Sequence, residues 1–285
     1  MSEVAGSETL QQWRETASHW TKHHDTIRTM FLPLTRALIE QARIAPGQAV
    51  LDVAGGSGEP SLTIADAVGP SGFVMCTDAI AEMVAVAERE ALARGLKNVQ
   101  FRQCTADSLP FADESFDVAV SRLGVMFFPD PVGAVREMLR VIKPEGRVAL
   151  AVWGKSELNP YSYVVTNVVS RYVPPAPVAP DAPDAFRFAE PGKLAGVLKD
   201  AGAIEVTERV VKFDMAAPLS PEEFWDMRSE ISESLREKLK TLSSEDRRRL
   251  ADEVQEAVKE FFPDGQMRFP AQMLIVSGAK TSGAP

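Results

Sequence analysis

The sequence predicts an α/β fold: a doubly wound, mostly parallel sheet of about seven strands with helical insertions. Three observations predict it. Strand-like and helix-like segments alternate between Ala49 and Trp153, the pattern of consecutive βαβ units. The first strand runs straight into a glycine-rich loop that opens a helix. The strands are short apolar runs, as strands covered on both faces must be.

In chain order, Glu8 to Ala42 reads as a helical arm that holds every histidine, His19, His23 and His24, and two of the 4 tryptophans. Val50 to Val53 is the first strand, followed by the loop Ala54-Gly55-Gly56-Ser57-Gly58 and a helix from about Pro60 to Val68. Phe73 to Thr77 is the second strand. Ile80 to Arg94 has apolar residues near a 3.6 period and Gly95 to end it, so it reads as a helix. Val99 to Cys104 and Phe116 to Val120 are strands three and four. Val132 to Ile142 is a helix stopped by Lys143-Pro144-Glu145-Gly146, and Arg147 to Trp153 is strand five. A helix over Tyr161 to Tyr172 precedes the proline-rich stretch Val173 to Ala185, an extended connection. Lys193 to Ala201 is a helix, Ile204 to Phe213 a strand, Pro221 to Phe262 two charged helices broken near Leu242-Ser243-Ser244, and Ala271 to Ser277 the last strand. The organisation expected is an N-terminal arm, 1–45, and one domain, 46–285, with helical insertions at about 155–188 and 218–265. Ligands of open α/β sheets bind at the carboxyl ends of the strands, so insertions leaving those ends would form a lid.

The composition narrows the function classes. The chain has 285 residues, 45% hydrophobic and 25% charged, with 31 basic against 40 acidic side chains for a net charge of −9. That is ordinary globular composition, and its acidity argues against binding a phosphate backbone. Arg247-Arg248-Arg249 stands among Glu245, Asp246, Asp252 and Glu253, a solvated face rather than a nucleic-acid patch. No apolar run approaches the ~18 residues of a membrane helix. The first ten residues lack an apolar leader segment, and Cys76 and Cys104 sit in strand-like runs as reduced thiols; both features point to a cytoplasmic setting. The oligomeric state is not legible.

The glycine loop is a nucleotide-type signal, because glycines let backbone amides approach a ligand at a helix N-terminus. A dinucleotide fingerprint requires G-x-G-x-x-G, yet Ser61 stands at the third glycine; a phosphate loop requires G-K-[ST], which is absent. The strand before the loop ends in Asp52. A carboxylate there repels pyrophosphate and suits a ligand bearing an ammonium or sulfonium. S-Adenosylmethionine has both cations and no phosphate. Asp78, at the end of strand two, is positioned to accept hydrogen bonds from the ribose hydroxyls; its lesser reading is an N-cap of the next helix.

These residues resemble motif I of class I S-adenosylmethionine-dependent methyltransferases, and the Ala-Gly-Gly-Ser-Gly variant is most similar to the ubiquinone/menaquinone C-methyltransferase group. The same ordered set includes Thr77-Asp78-x-x-x-x-Met83, Leu109-Pro110-Phe111 with Ser115-Phe116-Asp117, and Arg140-Val141-x-Lys143-Pro144-x-Gly146-Arg147. The resemblance covers about residues 45–153 and implies a Rossmann-like fold. It implies that Asp52, Ala54, Gly55, Gly56 and Gly58 hold the methionine part, with Ser121 after strand four, and that Asp78, Ala79 and Met83 serve the ribose. Thr105 and the Ala106 amide would frame adenine, Thr105 standing where the family has Asp or Asn. Trp20 stands where the family often has a tyrosine closing over the methionine carboxylate. Met126-Phe127 replaces the Arg-Asn pair of the quinone enzymes, which puts a quinone acceptor in question.

Methyl transfer is an in-line displacement driven mostly by positioning, so no triad is required and none is visible. His19, His23 and His24 are candidates for a base or substrate contact, or for solvated positions on a lid. Arg122, after strand four, would either anchor an anionic substrate or pair with an acid of the lid. No metal-ligand spacing appears. The reading is a methyltransferase acting on a small-molecule acceptor, with a quinone-type C-methyltransferase, or a nicotinamide-type nucleotide-binding protein without methyl transfer, as alternatives.

Overall fold

The computed structural model describes residues 13–14, 18–175 and 181–282. Seven strands form a single sheet in the order β3-β2-β1-β4-β5-β7-β6. They are β1 (Ala49–Val53), β2 (Phe73–Asp78), β3 (Val99–Gln103), β4 (Phe116–Arg122), β5 (Ile142–Trp153), β6 (Ile204–Ala217) and β7 (Met267–Ala279). β1 to β5 run parallel, and β7 inserts antiparallel between β5 and β6. The helices are α1 (His24–Ala42), α2 (Ser61–Val68), α3 (Ala81–Ala93), α4 (Pro131–Val141), α5 (Pro160–Ser170), α6 (Lys193–Asp200), α7 (Pro221–Ile231), α8 (Glu233–Lys240) and α9 (Ser244–Val258). The first residues of the arm, and part of the proline-rich connection, lie outside the described residues.

The strand order reverses at β1 and β4. Right-handed crossovers therefore put α2 and α3 on one face and α4 on the other, where it packs against α6. The core follows the central strands: Val148 to Val152 of β5 are fully buried, as are Ile275 and Val276 of β7 beside them. α1 packs over β4, β5, β6 and β7, while α5, α7 and α9 pack on one another.

The start signals are chemical. Asp130 caps α4 by accepting from the Gly133 amide (2.8 Å), with Pro131 at the first helical position. Ser220 and Glu223 form a reciprocal capping box at α7. The segment expected to hold two helices holds three, because Ser232 adopts an extended conformation and caps α8. β5 begins at Ile142 instead of Arg147: the Lys-Pro-Glu-Gly stop is a bulge within the strand, where the register to β4 shifts between Phe116 and Val118. β6 and β7 run several residues longer than expected, since they pair as an antiparallel ribbon as far as Ala217 opposite Met267.

Two of the ordered motifs prove to be fasteners. Arg140 donates to the carbonyls of Leu109 (2.9 Å) and Phe111 (2.8 Å) and to Asp113 (2.7 Å), which fixes the Leu-Pro-Phe loop against α4. Asp117 accepts from the Ala49 amide and from Lys143, both at 2.7 Å, joining β4 to β1 and β5.

Asn159 carries no signal in its sequence neighbourhood. It is fully buried before α5; its amide donates to the carbonyls of Lys155 (2.9 Å) and Gln272 (3.0 Å), and its oxygen accepts from the Gln272 amide (2.9 Å). Asn159→Ala leaves those groups unsatisfied, so chemical denaturation should show a loss of about 2–4 kcal/mol. A loss under about 0.5 kcal/mol, the range of neutral surface changes, would contradict this bolt between α5 and β7.

Candidate functional site

The glycine loop has the shape that its residues permit. Gly56 has φ +56°, which a β-branched residue adopts only under strain. Gly55 is held by close approach: a Cβ there would sit 2.7 Å from the Cys76 sulfur and 2.8 Å from Asp52 Oδ2. The Gly55 amide donates to the Thr77 carbonyl (2.8 Å), which seats the loop on the end of β2.

Asp52 lies beneath this loop and has no exposed surface. Its Oδ2 accepts from the Ser61 hydroxyl at 2.6 Å, and its Oδ1 has no partner. Burial pushes its pKa up to about 7, against the Ser61 hydrogen bond and the positive charge of Arg122. The sequence argument had Asp52 suit a cationic ligand; the structure buries it under the loop, with the Ser61 hydroxyl as its partner. Ser61, read only as a missing glycine, is the hydroxyl that a carboxylate in this place needs. Burial and the Asp52 charge push the Cys76 thiol well up, so it is an inert neighbour.

Asp78 stands beside the loop. Oδ2 accepts from the Gly56 amide and Oδ1 from the Ile80 amide, each at 2.9 Å. Burial pushes its pKa up and the hydrogen bonds from Ile80 and Gly56 oppose this. Asp78 is not the N-cap of α3, which is Ile80; it accepts from the Ile80 amide in the turn before the helix and remains only half-buried at the mouth of the loop, with lone pairs to spare. Ala79 lies next to it. Ile80 and Met83 form a small apolar group against which Trp13 and Trp20 pack. Trp13 meets Trp20 at 5.8 Å and Phe127, beyond β4, edge-on at 5.3 Å, so these rings extend from the end of β2 to the end of β4. Trp20 Nε1 is buried without a partner, as is the Ser121 hydroxyl at the end of β4. Thr105 is exposed and Ala106 half-buried at the end of β3, whose Cys104 amide donates to the Asp78 carbonyl (3.0 Å).

The four catalytic candidates are not brought together. Arg122 donates to Thr35 Oγ1 of α1 (2.7 Å) and to the Glu59 carbonyl (3.0 Å), and lies over the Phe31 ring. Both of its terminal nitrogens are thus engaged. It is a strut between β4, the glycine loop and the arm, which corrects the expectation that it grips a substrate or an acid of the lid. His23 Nε2 meets Glu230 of α7 at 2.6 Å, and Lys22 reaches the same carboxylate at 2.7 Å. Although burial pushes the Glu230 carboxyl up, Lys22 and His23 together hold it below its usual range. His24 is buried the other way, its Nδ1 3.8 Å from Glu90 on α3. His19 is half-buried one turn earlier, its carbonyl accepting from the His23 amide. Among the described residues no group of three His, Cys, Asp or Glu side chains is arranged to hold a metal, and no helix is long and apolar enough to cross a membrane.

Residues 26–177 of this 285-residue chain match the model of the ubiE/COQ5 methyltransferase family. The chain is 40% identical over 121 residues to the uncharacterized protein Rv1405c of Mycobacterium tuberculosis, 42% of this chain and 43% of that one. It is equally identical over 121 residues to the ubiquinone/menaquinone biosynthesis C-methyltransferase UbiE of Ectopseudomonas mendocina, and there spans 47% of that protein. The chain therefore spans about half the length of the curated relatives it matches. Among solved structures it resembles the YcgJ protein of Bacillus subtilis (TM-score 0.54, 23% identity, 87% of this chain and 98% of that one). It also resembles the [4+2]-cyclase SpnF (0.51, 22%, 88% and 81%) and the phosphoethanolamine N-methyltransferase 2 of Haemonchus contortus (0.55, 17%, 92% and 57%). These likenesses establish the fold.

The buried acid generates a pH prediction. The folded chain holds the Asp52 proton more tightly than the unfolded chain, whose carboxyl titrates near 3.8. Its contribution to stability is present below pH 4 and is lost as pH rises to about 7, a fall of roughly 4 kcal/mol for this group alone. Asp52→Asn should flatten that part of the profile, as read from denaturation midpoints at pH 5 and pH 8. Parallel profiles for the two proteins would show that the buried proton is not held.

Proposed function

The chain belongs to the ubiE/COQ5 methyltransferase family, and from that premise we propose that it transfers a methyl group from S-adenosylmethionine to a small-molecule acceptor. The observation that carries the reading is the pair of carboxylates around one glycine loop, Asp52 beneath it and Asp78 beside it. A pyrophosphate needs loop amides and no nearby negative charge; here the Gly56 amide is already given to Asp78, and two acids oppose a second anion. A nucleoside with a sulfonium and an ammonium in place of phosphate suits that field.

The residues present fit this donor. Asp78 offers lone pairs to the ribose hydroxyls. Asp52 supplies negative charge under the methionine part, Trp20 Nε1 is a buried donor in need of an acceptor such as a carboxylate, and Ser121 Oγ is a second polar group in need of a partner. Ile80 and Met83 supply apolar surface beneath the two tryptophans for a flat base, and Thr105 with Ala106 borders it. S-Adenosylmethionine supplies a methyl group on an already good leaving group, so what the protein must add is alignment and exclusion of water. The arm contributes to both, because Arg122 fastens α1 to the loop while Lys22 and His23 fasten it to α7.

The acceptor is decided outside the family match, which ends at residue 177, before α7 to α9. Met126, which replaces the arginine of the quinone enzymes, is buried in the core. This supports an acceptor other than a quinone.

A thermal-shift comparison tests the donor: S-adenosylhomocysteine should raise the midpoint and NAD should leave it in place. A shift with NAD alone would overturn the reading. Asp78→Ala should weaken S-adenosylhomocysteine binding at least tenfold by calorimetry, since two hydroxyls lose their acceptor and the Gly56 amide its anchor. Gly56→Val should abolish binding in a chain that still folds by circular dichroism; unchanged titration of either variant would place the ribose elsewhere.

A further inference from the structure

The described buried polar atoms without partners include three arginine Nε atoms, of Arg122, Arg187 and Arg228. Arg94, Arg140 and Arg147 meet carboxylates, as do surface arginines such as Arg209 and Arg268, while Arg236 meets the Glu230 carbonyl. None of the three forms such a pair among the described residues, in a chain with an excess of acids.

All three border one aromatic row at the carboxyl ends of β4 and β5. Trp153, the last residue of β5, meets Phe31 edge-on (5.9 Å) and Phe186 (6.1 Å), and stacks on Tyr161 at 6.2 Å with the planes 10° apart. Arg122 lies 5.5 Å from the Phe31 ring, and Arg228 of α7 lies 4.4 Å over the Tyr161 ring, at the opposite end of the row. Arg187, next to Phe186, donates to the Phe128 carbonyl at 2.7 Å. The loop side of the crevice therefore carries two acids with Arg122 against the loop, and this side carries Arg187 and Arg228.

The three differ in what they can still bind. Arg122 has both terminal nitrogens engaged and Arg187 one. Arg228 has no carbonyl or carboxylate partner among the described residues; its neighbour is Tyr161, whose hydroxyl burial pushes up in pKa while the charge of Arg228 and a hydrogen bond from it oppose this. Glu230, two residues on, is committed to Lys22 and His23. A guanidinium stacked on a ring presents its edge, a planar fork of donors that matches a carboxylate bidentately. A single guanidinium with no acid beside it balances one negative charge, whereas a phosphate dianion would call for more donors.

We propose that Arg228 is the anion-recognition residue of the acceptor site, and that the acceptor is a planar aromatic carboxylate, its carboxylate held by the Arg228 fork and its ring lodged beside the edge of the Trp153–Tyr161 row. This rests on the methyl-transfer reading of the crevice, and it adds the substrate class that the family match leaves open.

The test uses the full chain and simple probes: calorimetric titration of benzoate, its neutral isostere benzamide and acetate, each with and without saturating S-adenosylhomocysteine. Benzoate should bind at least tenfold more tightly than either control. Arg228→Gln should erase the preference over benzamide while S-adenosylhomocysteine affinity stays within twofold, and Arg228→Lys should restore only part of it. Equal affinity for benzoate and benzamide in the unaltered chain would overturn the proposal without any variant, as would a preference that survives Arg228→Gln. Failure of S-adenosylhomocysteine to bind would instead sink the methyl-transfer reading, and the titrations run without it still decide whether Arg228 holds the anion.

Discussion

The hydrogen bond from Ser61 to the buried carboxylate of Asp52 is the constraint on which the crevice depends. Removing an ionisable acid from water is tolerated only where hydrogen bonds and opposite charge meet it. Ser61 provides the first and Arg122 the second. To reach that place Arg122 crosses from β4 to the Glu59 carbonyl, and on the way it takes hold of Thr35 of the arm. The loop above has to be glycine because the carboxylate and Cys76 fill the space where a side chain of Gly55 would go. One acid thus sets the loop's composition, the direction of an arginine and the attachment of α1.

Charge across the crevice follows from the same arrangement. In the proposed reading a phosphate-free cationic nucleoside suits the acidic side, because its charge would lie on the methionine end, above Asp52, and its neutral base on Met83 and Ile80. Arg140 and Arg147 meet carboxylates and Arg122 faces the charge of Asp52, whereas Arg187 and Arg228 along the aromatic row form no ion pair among the described residues. Such an uncompensated cation is stable only where stacking and carbonyl contacts replace part of its hydration, and the Phe31, Phe188 and Tyr161 rings supply that stacking.

Much of the parallel half of the sheet was legible because its signals are local. The glycine loop, Asp78 and the helix after it lie within a few dozen residues, and each is required by backbone geometry or by the end of a strand. The fastening of the arm was not legible: Arg122 and Thr35 are 87 residues apart, and His23 and Glu230 are 207 apart, with nothing in either neighbourhood to announce the partner. Asn159 and Gln272 pair across 113 residues for the same reason. Ser61 was visible only as a departure from a glycine pattern, because a hydroxyl's role depends on the acid that folding brings to it. The Lys-Pro-Glu-Gly run misled in the opposite sense, since proline and glycine mark a bulge within a strand as readily as a stop.

β6 closes the sheet on one side with 14 residues, half of them exposed, and among the described residues its outer backbone ladder has no strand beyond it. Along it stand Glu205, Glu208, Arg209, Lys212 and Asp214, close-set charges of both signs that make a neighbouring chain costly to add. Protection of this edge is therefore concentrated in a few side chains. A chain relieved of them, with its chemistry untouched, would carry an open template for amyloid-like association.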